Sequence, residues 1–244
     1  MNTIVSAFVS NVNLRYDNSV KKYYEYGKPL LMSCVPKIIF VDKAMLDCIG
    51  ENYNKENTLL IEISKNKYSY LHDFQHLLYN FHLNTDNYAK DTQEFIFTMC
   101  NKTEWIKKAI DINHFNTENF IWIDFGIRYI FKEFTDSEFT EKLNKLKFKT
   151  YNSLRIGGIW NINYSYNINI YKDISWYFAG GVFGGNLQSL IIFADKMKSK
   201  CLDIINKHNT IMWEVNVWYL IYLECNNIFN IYNCDHNSSI IDNY

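Results

Sequence analysis

Proline and glycine are scarce in this chain, which has 2 Pro and 9 Gly among 244 residues. No stretch rich in proline, glycine or serine divides it, so the sequence predicts one domain over residues 1–244. An excess of one charge is also lacking, because 25 basic and 26 acidic residues give a formal net charge of −1. A nucleic-acid partner is not expected, since such proteins carry a basic stripe. The lysine-rich stretch 142–149 is better interpreted as the solvated face of a helix.

Paired cysteine motifs and long apolar runs are missing as well. The 6 Cys are widely spaced and form no CxxC pair, which disfavours a zinc ribbon and predicts free buried thiols in a reducing compartment. No run approaches the roughly 18 uninterrupted apolar residues that span a bilayer. The N-terminal segment lacks the basic leader of a signal peptide. The expectation is a soluble, cytoplasmic protein without a membrane span.

Apolar and aromatic residues are abundant, at 48% and 17% of the chain. Short apolar runs alternate with helical segments, which predicts an α/β fold with a central, mostly parallel sheet flanked by helices. The predicted strands cover 3–9, 35–41, 58–63, 119–125, 151–156 and 176–183. The main predicted helices cover 18–27, 68–83, 91–100, 103–112, 186–208 and 213–225. Asp42 is expected to cap a further helix that ends at Gly50, and 228–244 is expected to be an irregular polar tail.

A carboxylate follows the most apolar strand of the middle region, in the segment 120–126, Phe-Ile-Trp-Ile-Asp-Phe-Gly. In open α/β sheets, ligands bind outside the carboxyl ends of the strands. A lone carboxylate there is costly to bury unless it is paired or binds a metal. Asp124 is therefore a candidate metal ligand, and the alternative is an N-cap for a helix at 127–134.

Two glycine pairs surround a strand end in the segment 176–185, Trp-Tyr-Phe-Ala-Gly-Gly-Val-Phe-Gly-Gly. Glycine within a strand often marks the close approach of a ligand or of another backbone. Gly180, Gly181, Gly184 and Gly185 are therefore candidate substrate contacts. The alternative is a bulge with a tight turn into the next helix, and the spacing matches neither a P-loop nor GxGxxG.

A resemblance to a known family rests on the motifs WIDFG, AGGVFGG and Trp213-Glu214, together with the TIVSAF start, Lys102 and the run 115–124. In these motifs the sequence resembles the HtrL/YibB (WlaTC/HtrL) family of predicted glycosyltransferases. The stretch 177–213 is also similar to retaining GT-A enzymes of the blood-group type. The resemblance implies a GT-A (Rossmann-like) fold and a role in glycan biosynthesis. It implies transfer of sugar from a nucleotide sugar, a UDP-sugar foremost, to a hydroxyl of a glycan, lipid or protein, with Mn²⁺ or Mg²⁺ as cofactor.

The resemblance also implies roles for individual residues. Asp124 and His236 would bind the metal, and Glu214 with Asn216 would serve catalysis. Donor or substrate contacts would come from Phe8, Val9, Arg15, Lys102, Trp122, Gly180, Gly181, Gly184, Gly185 and Trp213. The common Asp-x-Asp form is absent, because Trp122 and Gly126 flank Asp124, and Val215-Asn216 stands where relatives have an acidic pair.

Each of these assignments has a plainer alternative. Lys102 and Arg15 could be surface charges, Glu214 could complement a helix dipole, and His236 could lie in a solvated tail. Two other function classes stay open. One is a non-catalytic binding or structural protein on a degenerate glycosyltransferase fold. The other is a zinc hydrolase that uses His72 and His76, which are four residues apart on a predicted helix and have no obvious third ligand beyond His82.

Overall fold

A computed structural model of the protein describes residues 1–12, 19–64, 70 and 73–244. Seven strands form one sheet in the order β3-β2-β1-β4-β6-β5-β7. They are β1 Asn2–Phe8, β2 Lys37–Val41, β3 Thr58–Glu62, β4 Asn119–Ile123, β5 Leu154–Gly158, β6 Phe178–Asn186 and β7 Phe229–Asn233. The described α-helices are α1 Val20–Met32, α2 Lys43–Ile49, α3 Gln93–Cys100, α4 Lys102–Ile112, α5 Asp136–Lys145, α6 Leu187–His208, α7 Glu214–Cys225 and α8 Ser239–Asp242. Short 3₁₀ helices cover Gln75–Asn80, Ile127–Ile130, Leu146–Phe148 and Asn226–Ile228.

The sheet is mostly parallel. Strand β1 pairs in parallel with β2 and β4, β2 with β3, and β5 with β7, whereas β6 runs antiparallel to both β4 and β5. The predicted α/β class, with a mostly parallel central sheet flanked by helices, is confirmed. Because β6 is antiparallel, its N-terminal half lies at the same edge as the carboxyl ends of β1 and β4, where Val182 is opposite Ile123.

Side chains of the inner strands alternate between two hydrophobic cores, one on each face of the sheet. On β1, Val5 belongs to one core and Ile4 to the other. On β4, Trp122 and Ile121 divide in the same way. Since both faces are covered, these strands are mainly apolar, with a few buried polar residues such as Ser6 on β1 and Lys37 on β2, and the sequence shows them clearly.

Several helix ends form as predicted. The side chain of Asp42 accepts a hydrogen bond from the backbone N–H of Met45, and Gly50 follows α2 with a φ of +52°. Asn186 caps α6 through the N–H of Ser189. In each case a short polar side chain satisfies a backbone donor that the first helical turn leaves unpaired.

The end predicted for the first helix is wrong. The predicted helix ends at residue 27, but α1 continues to Met32 with Gly27 and Pro29 inside it. Pro29 removes one helical hydrogen bond, but Leu30 and Leu31 beyond it are buried in the core. A Cβ on Gly27 would collide with the ring of Phe125. Tertiary packing therefore overrides the local signal for helix termination.

Two other elements differ from the prediction. Of the helix expected over 68–83, Tyr70 and Asp73 are helical, and Gln75–Asn80 forms a 3₁₀ helix followed by irregular chain. Residues 68, 69, 71 and 72 lie outside the described residues. The expected tail at 228–244 instead contributes β7, parallel to β5, and α8, whose Ile240 and Ile241 are buried. Among the residues described, no helix has the length and apolar character needed to cross a membrane.

Candidate functional site

A cavity of about 360 Å³ opens at the carboxyl ends of β1 and β4. Phe8 and Val9 line it from β1, Asp124 from the end of β4, Gly180 from β6, and Glu214 from the start of α7. The backbone N–H of Asp124 donates to the carbonyl of Gly181 at 3.0 Å, which joins β4 to β6 at this edge. The topology thus brings together segments that lie far apart in the sequence.

Asp124 is partly exposed, at 36% of its side chain, and has two partners in the wall of the cavity. Its Oδ1 accepts a 2.6 Å hydrogen bond from Nε1 of Trp122. Lys102 Nζ lies 2.9 Å from Oδ1 and 3.1 Å from Oδ2. The 3₁₀ helix Ile127–Ile130 has no side-chain cap. The helix-cap alternative for Asp124 therefore does not hold.

Lys102 is the centre of the site, although the sequence favoured a surface charge for it. Its side chain is 2% exposed, and Nζ donates to Glu214 Oε1 at 2.8 Å and to the Gly180 carbonyl at 3.0 Å, in addition to Asp124. Burial alone would lower the pKa of Lys102, but the charges of Asp124 and Glu214 outweigh it and raise the pKa above its usual value. Lys102 is therefore an ammonium that is fully hydrogen-bonded.

Glu214 lies in the first turn of α7 and is 3% exposed. Its Oε1 accepts from Lys102, and its buried Oε2 has no hydrogen-bond partner among the residues that the structure describes. A carboxylate that only complemented a helix dipole would face solvent. Glu214 instead lines the cavity on the same ammonium as Asp124, so the two carboxylates are neighbours in space although 90 residues separate them in sequence.

Aromatic side chains cover much of the remaining cavity wall, and the sequence reasoning missed several of them. Tyr23 of α1 lies beside Phe8, with ring centroids 5.0 Å apart, and Tyr26 packs edge-on against Tyr23 at 6.1 Å. Trp105 of α4 stacks on Trp122 at 5.9 Å and an interplanar angle of 8°. The signal for the tyrosines was the Tyr-Tyr-x-Tyr spacing in α1, which puts Tyr23 and Tyr26 on one helix face.

Trp213 and two lysines also border the cavity. Trp213 precedes α7, and Lys90 Nζ lies 3.9 Å from the centroid of its ring, a cation–π distance. Lys22 of α1 lines the side that carries the tyrosines. The cavity therefore combines aromatic faces, two carboxylates and three lysines, if Lys102 is included.

The four predicted glycines divide into two pairs. Gly180 and Gly181 line the cavity, and a Cβ on Gly180 would lie 2.5 Å from Oε1 of Glu214. Gly184 and Gly185 do not line the cavity. At these two positions a side chain would collide with neighbouring protein atoms. A Cβ on Gly184 would lie 2.5 Å from the carbonyl of Phe120. Gly185 has a φ of +157°, and a Cβ there would lie 2.5 Å from the carbonyl of Ser153.

The structure does not bring Asn216 to the cavity. Its Oδ1 accepts from the backbone N–H and the hydroxyl of Ser175, both at 2.8 Å, and its Nδ2 donates to the carbonyls of Ile170 and Asp173. Asn216 therefore holds the irregular segment 159–177 against α7, and a catalytic role for it stays a prediction that this placement does not support. Arg15 and His72 lie outside the described residues.

His236 does line the cavity, where its ring packs edge-on against Trp176 with centroids 4.4 Å apart. Among the described residues, no three His, Cys, Asp or Glu side chains converge as a metal-holding group. His76 is exposed on the 3₁₀ helix, and Asp73 pairs with Lys198. The zinc-hydrolase alternative depends on His72, which lies outside the described residues, and stays a prediction.

The residues present could bind a divalent cation only if a bound substrate supplied some of its ligands. Asp124 is partly exposed in the cavity, whereas Glu214 is enclosed and its Oε1 bonds to Lys102. Mg²⁺ is commonly bound through one or two carboxylates together with substrate phosphates. The site therefore fits an ion whose ligands come partly from a bound phosphate group, and not an ion whose ligands all come from the protein.

Comparison with known proteins gives little further constraint. No family model matches the chain, and no curated protein matches its sequence. The family resemblance noted from the motifs therefore stays a prediction. Among solved structures, the chain is similar to mouse xyloside xylosyltransferase 1 in its apo form, a glycosyltransferase. The match has 11% sequence identity and a TM-score of 0.49, and covers 96% of this chain and 86% of that one.

Proposed function

We propose that the protein is a glycosyltransferase that moves a sugar from a nucleotide sugar, a UDP-sugar foremost, to a hydroxyl of a glycan, lipid or protein. The observation that carries this proposal is that Asp124 and Glu214, from two separate elements, are held on one ammonium in a cavity wall. The cavity lies at the carboxyl ends of β1 and β4, where α/β sheets bind their ligands. Residues 1–244 would act as one cytoplasmic domain.

The cavity offers a separate group for each part of a nucleotide sugar. Phe8, Tyr23 and Tyr26 provide aromatic faces for the base, and stacking of this kind contributes about 1–3 kcal/mol per base. Lys22 and Lys90 provide positive charge within reach of a diphosphate that spans the cavity. The carboxylate of Glu214 would then lie nearest to the sugar.

The proposed transfer breaks the bond between the anomeric carbon and the diphosphate oxygen, and the electron pair leaves with the nucleoside diphosphate. The sugar carbon acquires oxocarbenium character, which a nearby carboxylate stabilises. The acceptor oxygen bonds to this carbon and gives up its proton to a carboxylate base. Glu214 is proposed for one of these two roles, since its Oε2 makes no hydrogen bond to any part of the chain that the structure describes.

A bound Mn²⁺ or Mg²⁺ would be held by Asp124, with His236 as a proposed further ligand, and would stabilise the charge of the departing diphosphate. Lys102 keeps the carboxylate of Asp124 in place. Trp122 fixes the orientation of the same carboxylate through its Nε1. These two contacts organise the site before any ligand binds.

One feature favours a second candidate, a protein of the same fold that binds nucleotide sugars without turnover. Glu214 is enclosed and paired with Lys102, which could leave it unable to reach a substrate. A panel of nucleoside diphosphates and nucleotide sugars, with and without Mn²⁺, separates the possibilities when thermal shift is combined with product detection. A ligand at a hundred times its dissociation constant adds about 2.7 kcal/mol to the free energy of unfolding. Stabilisation without product supports the binding protein, and no stabilisation by any member contradicts both.

A further inference from the structure

The ammonium of Lys102 lies among four oxygens that three different segments supply. Asp124 Oδ1 is 2.9 Å away, Asp124 Oδ2 3.1 Å, Glu214 Oε1 2.8 Å and the Gly180 carbonyl 3.0 Å. Carboxylate and carbonyl oxygens are also the ligands that proteins use for hard cations. The Lys102 ammonium therefore occupies a position that, by the chemistry of its surroundings, is a cation site.

The charges explain why this position is filled. Asp124 and Glu214 contribute two negative charges and Lys102 one positive charge, so the group carries a net charge of −1. Two neighbouring carboxylates, one of them 3% exposed, would repel each other and would be costly to bury without a cation. Lys102 is tethered through the first turn of α4, so it needs no ion from solution to compensate them.

We propose that Lys102 is the resident cation of the site and that it takes the place of a protein-held divalent ion. The free protein then binds Mn²⁺ weakly, because the shared position between the two carboxylates is already filled. A divalent ion enters only together with a diphosphate, whose oxygens complete its ligand set next to Asp124. This second statement rests on the proposed function, whereas the statement about the free protein does not.

The alternative is an ion pair that only ties α4 to α7. In that case, replacing Lys102 would lower the stability of the protein but would not change its affinity for a metal ion. Lys102→Met separates the two ideas, since it removes the charge and roughly keeps the volume. Lys102→Arg keeps the charge. Lys107→Met is the matched control, because Lys107 lies on the same helix and pairs with Asp195 at the surface.

Mn²⁺ binding is measured by the loss of the electron paramagnetic resonance signal of the free ion, on protein without nucleotide. For Lys102→Met we expect Mn²⁺ affinity at least about tenfold higher than for the wild type, since the uncompensated carboxylates attract a cation strongly at short range. Lys102→Arg and Lys107→Met should bind Mn²⁺ as weakly as the wild type. Equal affinity in Lys102→Met and the wild type would overturn the proposal.

The wild-type protein provides a second test, which holds even if Lys102→Met fails to fold. Adding UDP should raise its Mn²⁺ affinity at least about tenfold, and Mn²⁺ should raise UDP affinity by the same factor, because coupling is reciprocal. Saturable Mn²⁺ binding that is equally tight with and without UDP would overturn the proposal. If UDP does not bind at all, whether or not Mn²⁺ is present, the diphosphate part of the proposal and the UDP-sugar assignment fail together. The comparison of variants in the free protein still stands.

Discussion

Trp122 Nε1 donates a 2.6 Å hydrogen bond to Oδ1 of Asp124, two residues further along the chain. Position 122 is where an Asp-x-Asp motif would have its first carboxylate. The tryptophan supplies a hydrogen-bond donor there, and its ring stacks on Trp105 in the core. This contact and the ammonium of Lys102 together determine the orientation of Asp124.

Trp122→Phe tests this contact. The ring stays in the core while the donor is lost, so we expect the free energy of unfolding to fall by about 1.5–3 kcal/mol, as for hydrogen bonds to charged groups. Nucleotide affinity should fall as well, because Asp124 becomes less well oriented. Trp218→Phe is the matched control, since the buried Nε1 of Trp218 has no hydrogen-bond partner within the described ranges of the chain. Urea unfolding and calorimetry measure the two effects, and equal nucleotide affinity in wild type and Trp122→Phe would contradict this role.

Asp124→Asn tests the proposed metal ligand. The volume is conserved, so the fold should persist, while the part of nucleotide binding that depends on Mn²⁺ should be lost. Asp195→Asn, which removes one charge from a surface ion pair, is the control and should bind like the wild type. Calorimetric titration of a nucleoside diphosphate with and without Mn²⁺ gives the answer. Unchanged Mn²⁺-dependent binding in Asp124→Asn would remove Asp124 from the metal site.

The two glycine pairs should respond differently to alanine. In Gly184→Ala the added Cβ meets the backbone carbonyl of Phe120, which cannot easily move, so a loss of about 1–3 kcal/mol of stability is expected. In Gly180→Ala the added Cβ meets Oε1 of Glu214, the end of a side chain that can shift. Activity should then fall much more than stability. Parallel losses of activity and stability in both variants, by kinetics and urea unfolding, would indicate that both pairs serve packing alone.

Lys37 predicts a specific pH dependence of stability. It is buried on β2, where Nζ donates to the carbonyl of Ser33 at 2.8 Å and to Asn57 at 2.9 Å, and burial lowers its pKa to about 7. In the unfolded chain the pKa of lysine is about 10.4. Below about pH 7, Lys37 is protonated in both the folded and the unfolded state, and the cost of burying its charge fully lowers the free energy of unfolding. Between about pH 7 and 10.4 only the unfolded state binds this proton, so the free energy of unfolding should rise with pH.

The control for this effect is Lys37→Met, which has no group to titrate at this position. The difference in free energy of unfolding between wild type and variant, measured in urea from pH 6 to 10, isolates Lys37 from the other titrating groups. A difference that stays constant over this range would show that Lys37 has an ordinary pKa in the folded protein.

Much of the sheet could be predicted because its inner strands are buried on both faces and are therefore mainly apolar. Asp124 could be found because a carboxylate interrupts that pattern where the strand ends. Lys102 could not be placed, because its burial depends on Asp124 and Glu214, which lie 22 and 112 residues away. Strand β7 was missed since its five residues are short, partly polar and stabilised by pairing with β5. The continuation of α1 through Pro29 likewise depends on tertiary packing.

The most direct test of the central claim is the release of nucleoside diphosphate from a panel of nucleotide sugars, with water or added acceptors, by wild type and Glu214→Gln. Glu224→Gln, at the other end of α7 in a surface pair with Lys200, is the control. A general base or charge stabiliser contributes about 10²–10⁴-fold to the rate. We predict that the wild type and Glu224→Gln release nucleoside diphosphate at similar rates. Release by Glu214→Gln should be at least about a hundredfold slower, while its affinity for the donor stays within a few fold of the wild-type value. Release from no nucleotide sugar, or an equal rate in Glu214→Gln, would contradict the account.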